Sequence, residues 1–517
     1  MNEFITSKEM RIYDLNAIAL GVSDLQLMEA AGRGVADTIE RVIGDLRNKH
    51  VVVFAGTGGN AGDGLTAARH LASKGAKVTV YMLSKPEEIR HEASIKQYLA
   101  IELMDLSIDL KIVKDLNNIP DMVNADVIID ALLGLGVKGK VRSLYSKAID
   151  CINRSKALKI AVDVPSGVDP DTGEILGNAV KADITVTFHK PKVGLKKRSE
   201  YVGKLVIVDI GIPPEAEYYV GPGDLIYNYK ARGFTSHKGQ AGKVLVIGGS
   251  ETFTGAPTLS ALAALRTGSD LAYVAAPSRA ADVIATYSPN IITIKLEGSD
   301  HLIPQHLNIL KHWIDRADCI IIGPGLGLNP ESEEAFIEIT KYTRELNKPL
   351  VIDADGIKHL ARNKDVIYDK IILTPHSGEF KKLTGMDLPD ERDLWRRAEV
   401  VKKACKELGN PTILLKGPID VISDGSRVKF NKTGAPAMAV GGTGDVLSGI
   451  AASLLAKGLE PFVAGYLAAF INGLAGAVAY KEIGEGITPT DILDRIPKVI
   501  ADPLNVFKEY LVYRRVK

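Results

Sequence analysis

From Lys49 onward the chain alternates short, almost uninterrupted apolar runs with longer segments whose apolar positions recur at helical spacing. VVVFAG (51–56) leads into the glycine-rich GTGGNAGDG (56–64) and the helix-patterned LTAARHLASKG (65–75). KVTVYML (77–83), DVIIDALLG (126–134), IAVDVPSG (160–167), DITVTFH (183–189) and KLVIVDIG (204–211) follow as strand candidates. A strand that is apolar on both faces has to be covered on both faces, the condition of a parallel sheet between helical layers. This half of the chain therefore predicts an α/β domain.

The rhythm breaks at IPPEAEYYVGPGDLIYNYKARGF (212–234), rich in proline, glycine and tyrosine, and restarts with GKVLVIGGS (242–250). The pattern divides the chain into a first domain at 1–212, a linker at 213–233 and a second domain at 234–517. The second half repeats the alternation through AYVAAP (272–277), CIIIGPGLG (319–327), PLVIDADG (349–356), KIILTPHSGE (370–379) and PTILLKG (411–417), then turns helical after Gly444. The most apolar stretch, Val463–Tyr480, holds Asn472 and several glycines. It falls short of the roughly 20 residues of a membrane span and reads as a buried core helix.

Composition narrows the partner. A chain of 517 residues, 46% hydrophobic and 25% charged, can bury more than one core. The net charge is +1 and the Lys and Arg residues are spread along the chain, so there is no basic arm for nucleic acid and no cationic face for a membrane. A small-molecule partner is expected. Cys151, Cys319 and Cys405 lie far apart without a CxxC pair, the usage of buried thiols in a reducing compartment. MNEFITSKEMRIYDLNAIAL opens without the basic-then-apolar pattern of a secretory leader, so a cytoplasmic location is expected.

In the first half, Gly56, Gly58 and Ala61 satisfy the loose GxGxxG/A dinucleotide pattern, a weak signal alone. A nicotinamide dehydrogenase would also place an acid at the end of the second strand, and here Leu83, Ser84 and Lys85 stand there. Asp63, near the helix start, would compete with a phosphate for the free amides. Asp130, Asp163 and Ser166 instead fall at the C-terminal ends of strands, where parallel-sheet enzymes put their sites. Each alone could be a helix cap or a turn residue; their joint placement favours one crevice. Asn60, Asp130 and Ser166 are also oxygen ligands of the kind that a hard cation accepts.

TSKEMRIYDLNAIALGVSDLQLMEAAG (6–32), the Gly-Asn-x-Gly-Asp segment, DALLGLG (130–136), DVPSGVDPDTG (163–173) and TFHKPKVGL (187–195) together resemble the NAD(P)H-hydrate epimerase family. The resemblance implies a Rossmann-like three-layer domain whose hydrated dinucleotide contacts Gly59, Asn60, Ala61, Gly62 and Asp63 and the segment Gly134, Leu135, Gly136, Val137, Lys138, Gly139 and Lys140. It further implies Asp163 acting at the substrate and a potassium ion held by Asn60, Asp130 and Ser166. The commoner family segment reads Asn-Asn-Gly-Gly-Asp; Gly59 removes a side-chain amide and Ala61 demands an ordinary backbone φ. On this reading, Asp163 protonates a hydroxyl leaving one face of the reduced ring and deprotonates the water returning on the other.

The sharpest local pattern in the second half is AVGGTGDVLSGIAASLLAKG (439–458). Small residues at a helix start let backbone amides face an anion, with Asp445 beside them, although no Gly-Lys-Ser/Thr follows as in a Walker A loop. Lys416 and Gly417 end a strand, TPHSGE (374–379) places His376 and Glu379 at another, and GPGLG (323–327) and DADG (353–356) add loops. With HKGQAGKVLVIGGSETFTGAPTLSALAALRTG (237–268), these segments resemble the ADP-dependent NAD(P)H-hydrate dehydratase family, of the ribokinase-like superfamily.

That second resemblance implies a ribokinase-like three-layer α/β/α domain. Ala256, Gly327, His376 and Asp445 would contact the hydrate. Lys416, Gly417, Pro418, Ile419, Asp420, Gly441, Gly442, Thr443 and Gly444 would contact ADP, with Asp445 as catalytic base and magnesium neutralising the diphosphate. The family segment reads Lys-Gly-x-x-Thr, so the side chain of Asp420 is expected to turn away from phosphate, or its role to pass to the backbone. The fused order is that of the bifunctional NAD(P)H-hydrate repair family, which implies a homo-oligomer acting on NADH hydrate, NADPH hydrate and ADP. Two other readings stay open from residues alone: an ATP-dependent kinase of a vitamin precursor with a regulatory first domain, and a non-catalytic dinucleotide sensor.

Overall fold

The protein is described by a computed structural model over residues 3–235 and 237–516, whose contacts separate two units, Met1–Ala216 and Glu217–Lys517. Among the described residues of the first unit, seven strands form one sheet. They are β1 (His50–Ala55), β2 (Lys77–Met82), β3 (Ile108–Ile112), β4 (Val127–Ala131), β5 (Leu158–Val162), β6 (Ile184–Phe188) and β7 (Lys204–Val208). Their order is β3-β2-β1-β4-β5-β6-β7, and every neighbouring pair is parallel.

The apolar runs explain the layers. Alternate side chains of a strand point to opposite faces. Val51, Val53 and Ala55 enter one core with Val35 and Ile39 of helix Asp24–Ile43 and Leu65 of helix Gly59–Ser73. Val52 and Phe54 enter a separate core with Ala148, Ile149 and Ile152 of helix Ser143–Arg154. Each fully buried side chain of this kind contributes roughly 1.5–3 kcal/mol relative to an exposed one, so both faces of β1 must be apolar. Strand order reverses between β1 and β4, which leaves a crevice at their C-terminal ends, the usual ligand position of an open parallel sheet.

Among the described residues of the second unit, nine strands form another sheet: β8 (Lys243–Ile247), β9 (Leu271–Pro277), β10 (Ile292–Leu296), β11 (Cys319–Ile322), β12 (Leu350–Ile352), β13 (Ile371–Leu373), β14 (Thr412–Leu415), β15 (Asp420–Ser423) and β16 (Val428–Asn431). The order is β10-β9-β8-β11-β12-β13-β14-β15-β16, with its reversal between β8 and β11. Leu245, Ile247, Ile320 and Ile352 share a core with Leu310 of helix Leu307–Arg316 and Phe336 of helix Pro330–Glu345. Helices Gly255–Arg266, Thr443–Ala456 and Pro461–Ile483 pack against the strands from the other side.

The structure departs from the sequence pattern in several places. β3 and β10, which the apolar runs did not reveal, lie at sheet edges and expose part of their length, so they need fewer apolar residues. β14, β15 and β16 pair antiparallel, since residues 416–419 turn the chain back as a hairpin loop. The expected linker 213–233 carries helices Pro214–Tyr218 and Pro222–Asn228. Its later part is held in the second unit by a buried pair, Lys429 Nζ to Asp224 Oδ1 at 2.9 Å, so it is no free tether. Helix Pro461–Ile483 runs to 23 residues, longer than its apolar stretch suggested; by length and composition it could cross a membrane, but 94% of its most apolar window is buried inside the protein, as in a core helix. Cys151, Cys319 and Cys405 are buried and unpaired.

Candidate functional site

In the first unit, helix Gly59–Ser73 begins directly after β1, with Gly58 as its N-cap. The glycine-rich segment is therefore loop only at Gly56–Gly58, and Gly59, Asn60, Ala61, Gly62 and Asp63 are already helical. The first-turn amides of a helix have no intrahelical acceptor, and here no side chain caps them, which leaves them available to an anion. Ala61 is helical and buried, so its side chain costs nothing in φ. Gly59 also has an ordinary φ; a Cβ there would meet only the His91 ring, at 3.8 Å from Nε2. The ring stands where a longer side chain at 59 would extend, 3.4 Å from Asp24 Oδ2.

Asn60, Asp130 and Ser166 lie together around the backbone of Leu133. Asn60 Nδ2 donates to Leu133 O at 3.1 Å, and Ser166 Oγ accepts from Leu133 N at 2.9 Å. Ser166 donates to both oxygens of Asp130, from Oγ at 2.6 Å and from N at 2.8 Å. Burial pushes the Asp130 carboxyl up to about 6, opposed by hydrogen bonds from Ser166 and Leu132 and by no cationic side chain. Asp130 is thus no helix cap but a buried acid whose ionised form lacks a counter-charge.

Gly134 faces Asn60, whose Cβ lies 3.0 Å from where a Gly134 Cβ would be. Leu135 O accepts from Arg11 Nη2. Further along, Gly136, Lys138, Gly139 and Lys140 are exposed, with Val137 half-buried among them.

Asp163 directly follows β5 and holds φ 63°, a left-handed conformation uncommon for a non-glycine residue, though Asp and Asn adopt it more readily than most. Its Oδ1 accepts from Lys192 Nζ, from Thr187 Oγ1 at 3.0 Å and from Phe188 N at 3.2 Å. The side chain does not brace the local turn, because these partners lie on or beyond β6. Two more carboxyl groups face the same ammonium. Burial, with Asp163 and Asp24 adding and Lys192 opposing, raises Asp14 to about 7. Burial, then repulsion from Asp163, Asp14 and Asp24, holds Asp63 well above the carboxylate range. Asp63 lies a full turn inside its helix and neither caps it nor guards its amides. Asp14 and Asp63, beside the Asp163–Lys192 pair, thus hold their protons well above the ordinary carboxylate range.

In the second unit, Gly442 caps helix Thr443–Ala456 at φ 100°, which leaves the first-turn amides of Thr443, Gly444 and Asp445 open, with Gly441 exposed beside them. Gly442 has to be glycine: besides its φ, a Cβ would sit 2.7 Å from Pro489. The Asp445 carboxylate accepts no hydrogen bond from a described residue. Burial raises it to about 7, with Asp353 adding, Lys416 opposing and Asp355 adding.

Lys416 stands beside this helix start. Its Nζ lies 3.3 Å from Asp353 Oδ1 and 3.3 Å from where a Gly444 Cβ would be. Burial works to lower the Lys416 ammonium, but Asp353, Glu379 and Asp445 outweigh it and hold it above the lysine range. Asp353 also accepts from Thr374 Oγ1 at 2.7 Å. Ala354, next to it, holds φ 49°, another left-handed backbone just beyond a strand end.

The remaining predicted residues surround this centre. Ala256 lies in the first turn of helix Gly255–Arg266, and Gly327 N donates to Asp355 Oδ2 at 2.9 Å. His376 caps helix Ser377–Thr384, its Nδ1 accepting from Gly378 N at 3.0 Å, so the proton sits on the exposed Nε2. Gly417, Pro418 and Ile419 form the β14–β15 loop. Asp420 turns inward, accepting from Gly417 N at 3.0 Å and Asn431 Nδ2 at 2.9 Å, and burial raises it to about 6. It braces that loop. Lys192, Thr187, Asp14 and Asp353 were not named as site residues from the sequence, although they lie in the segments 187–195, 6–32 and 353–356 quoted from it.

Residues 24–194 match the family described as YjeF-related protein N-terminus, and residues 244–498 match the NAD(P)H-hydrate dehydratase family. A Hyperthermus butylicus protein named bifunctional NAD(P)H-hydrate repair enzyme Nnr is 48% identical over 518 residues, covering 100% of this chain and 96% of its own length. A Pyrobaculum aerophilum protein of the same name is 46% identical over 505 residues, covering 96% of this chain and 98% of its own. Among solved structures, an ADP/ATP-dependent NAD(P)H-hydrate dehydratase of Bacillus subtilis, co-crystallised with ATP and Mg2+, aligns with a TM-score of 0.44 at 23% identity, over 56% of this chain and 98% of that one.

Proposed function

Since the chain belongs to the bifunctional NAD(P)H-hydrate repair enzyme family, we propose that its first unit interconverts the R and S hydrates of NADH and NADPH and that its second unit dehydrates the S form at the expense of ADP. The observation that carries this reading is the pairing, in one chain, of a buried acid cluster at Asp163 with an amide-lined helix start at Asp445. Hydration damage yields both epimers, and the first reaction supplies what the second consumes.

In the first unit the dinucleotide lies across the crevice between β1 and β4, its phosphates on the amides of Gly59, Asn60 and Ala61, with Gly62, Asp63 and residues 134–140 along it. Asp163 gives a proton to the departing hydroxyl as the ring nitrogen pushes, and the C–O bond breaks to release water. Water adds on the opposite face and returns the proton to Asp163. Potassium fits Asn60, Asp130 and Ser166, since Asp130 is a buried carboxylate without a cation and the other two offer neutral oxygens. When bound it supplies that counter-charge and stiffens the Leu133–Gly134 turn. Exchanging potassium for tetramethylammonium is expected to slow epimerisation by about tenfold, a loss typical of disturbed ligand support. Asp130→Asn should abolish the difference between the two salts, and equal rates in both salts for the unaltered protein would remove potassium from the reading.

In the second unit Asp445 takes the proton of the substrate hydroxyl as its oxygen attacks the terminal phosphorus of ADP and AMP leaves. The amides at Gly441, Gly442, Thr443 and Gly444 and the Lys416 ammonium face the charge that develops on the transferring group. Phosphate then departs from the ring and loss of a neighbouring proton restores the dihydropyridine. Magnesium would enter with the diphosphate and neutralise its charge. Among the described residues no group of three or more His, Cys, Asp or Glu forms a cage, and Asp353 and Glu379, the carboxylates facing Lys416, fit an ion held mainly by phosphate. Ala256, Gly327 and His376 border the hydrate, and Pro418 and Ile419 the nucleotide. The free, buried cysteines support a reducing, cytoplasmic setting.

The test is recovery of dihydropyridine absorbance from a mixed R and S NADH hydrate with magnesium, potassium and either ADP or ATP. Full recovery with ADP supports both halves, recovery of the S fraction alone removes the epimerase, and no recovery with either nucleotide removes the repair reading.

A further inference from the structure

Lys192 is fully buried, yet neither substrate nor metal is assigned to it. Its ammonium has three protons and three acceptors: Asp163 Oδ1, Thr187 Oγ1 at 3.2 Å and Phe188 O at 3.1 Å. The group is therefore locked in rotation. On the other side of the pair, Asp163 Oδ1 receives three donors, while Oδ2 receives none from the described residues. One carboxylate oxygen is saturated and the other is left over, with the side chain almost enclosed.

The backbone of Lys192 is itself fixed. Ile5 N donates to Pro191 O at 2.9 Å and Val193 N donates to Ile5 O at 3.0 Å, so the chain's start is laid against this loop as an isolated parallel bridge. Ser7 in turn donates to Asp171 from both N and Oγ, each at 2.6 Å. The ammonium is thus presented by a segment clamped on either side.

A lysine and an aspartate kept only for stability have little reason to be here. A buried ion pair can be exchanged for apolar residues at small cost or with gain, because desolvation consumes most of its attraction. This pair instead sits at a residue with a left-handed φ, beside two further acids that the single ammonium cannot neutralise. Such an excess of unfavourable features is what a site tolerates and a scaffold does not.

We infer that Lys192 is the positioning residue of Asp163 in epimerisation: by occupying Oδ1 together with Thr187 and Phe188, it turns Oδ2 to the ring hydroxyl. The inference rests on Asp163 as the proton-transferring group. Both half-steps then use one oxygen. Oδ2–H gives its proton as the C–O bond breaks, and Oδ2 takes a proton as the new C–O bond forms, so no net proton is consumed.

The experiment compares Lys192→Met, Asp163→Asn and the double variant in the full-length protein, following conversion of purified R hydrate to S by chromatography. Lys192→Met is expected to lower kcat by about a hundredfold while KM stays within about threefold, the pattern of an interaction made at the transition state. The double variant should be no slower than Asp163→Asn, because a residue acting through another has nothing left to act on. Retained kcat in Lys192→Met, or a full further loss in the double variant, overturns the inference. Wild-type speed in Asp163→Asn overturns the underlying assignment instead. Since an unpaired buried carboxylate threatens folding, Thr187→Val serves as the second arm. It keeps both charges but removes the buried hydroxyl between them, and should lower kcat several-fold at unchanged KM in a protein that still folds, with a somewhat lowered melting temperature because two buried hydrogen bonds are lost. Unaltered kcat in that variant counts against the inference.

Discussion

Replacing Asp445 with asparagine lowers ADP-dependent dehydration by about a thousandfold, within the range that one general base supplies, and leaves epimerisation at its original rate. The side chain has almost the same shape, and the helix start with its free amides is unchanged, so substrate binding should persist and the loss should fall on kcat. Burial and the neighbouring Asp353 raise Asp445 to about 7. Below that pH it is protonated and cannot accept the hydroxyl proton. Dehydration by the unaltered protein should therefore rise about tenfold per unit as pH approaches 7 from below and level off above it. The variant should lack this limb. It should also melt at a higher temperature than the unaltered protein above pH 7, because the carboxyl raised by folding contributes stability only while protonated and loses it as pH climbs from its ordinary value through 7. A variant that still dehydrates at full rate, or a flat profile between pH 5.5 and 7 in the unaltered protein, would falsify the assignment.

Asp163→Asn is the mirror case. Epimerisation should fall by about a thousandfold toward the uncatalysed rate, while pure S hydrate is still dehydrated normally. With mixed hydrates the signature is plain: absorbance recovers at once to the S fraction and then creeps upward at the rate of spontaneous epimerisation. An asparagine at 163 can still accept from Thr187 and Phe188 through its oxygen, so the left-handed turn has a means of surviving the exchange. Full and rapid recovery from the mixture would return Asp163 to a purely structural role.

The two activities serve as controls for each other because each unit has its own sheet and core. Val51, Val53 and Leu65 belong to one core, Leu245, Ile320 and Phe336 to another. A variant that damages one reaction and spares the other has not unfolded the chain.

Much of the fold was legible in advance, and for a definite reason. β1, β4, β8 and β11 are central strands with nearly every residue buried, so their sequences are apolar almost without interruption. β3 and β10 escaped notice because an edge strand exposes half its side chains and IDLKI or ITIKL resembles ordinary surface. The β15–β16 hairpin escaped because its strands are short and polar at their ends. The proposed sites divide along the same line. Acids at the C-terminal ends of central strands, Asp130 in β4 and Asp163 just after β5, could be marked as candidates from position alone, as could Asp445 beside its glycines.

What the chain by itself determined was thus the alternation of buried strands and covering helices, the break near 212–234, and the identity of groups placed at strand ends by continuity. What only the tertiary structure decided was which distant groups meet those acids. Lys192 stands among several lysines in the segment 187–195, whose motif does not say which acid it meets; β6 and the bridge to Ile5 carry it to Asp163. Lys416 and Asp353, 63 residues apart, come together because β12, β13 and β14 lie side by side. Burial and charge pairing depend on such through-space neighbours, and for that reason Asp14, Asp63 and Asp445 gain their shifted acidity only in the folded protein.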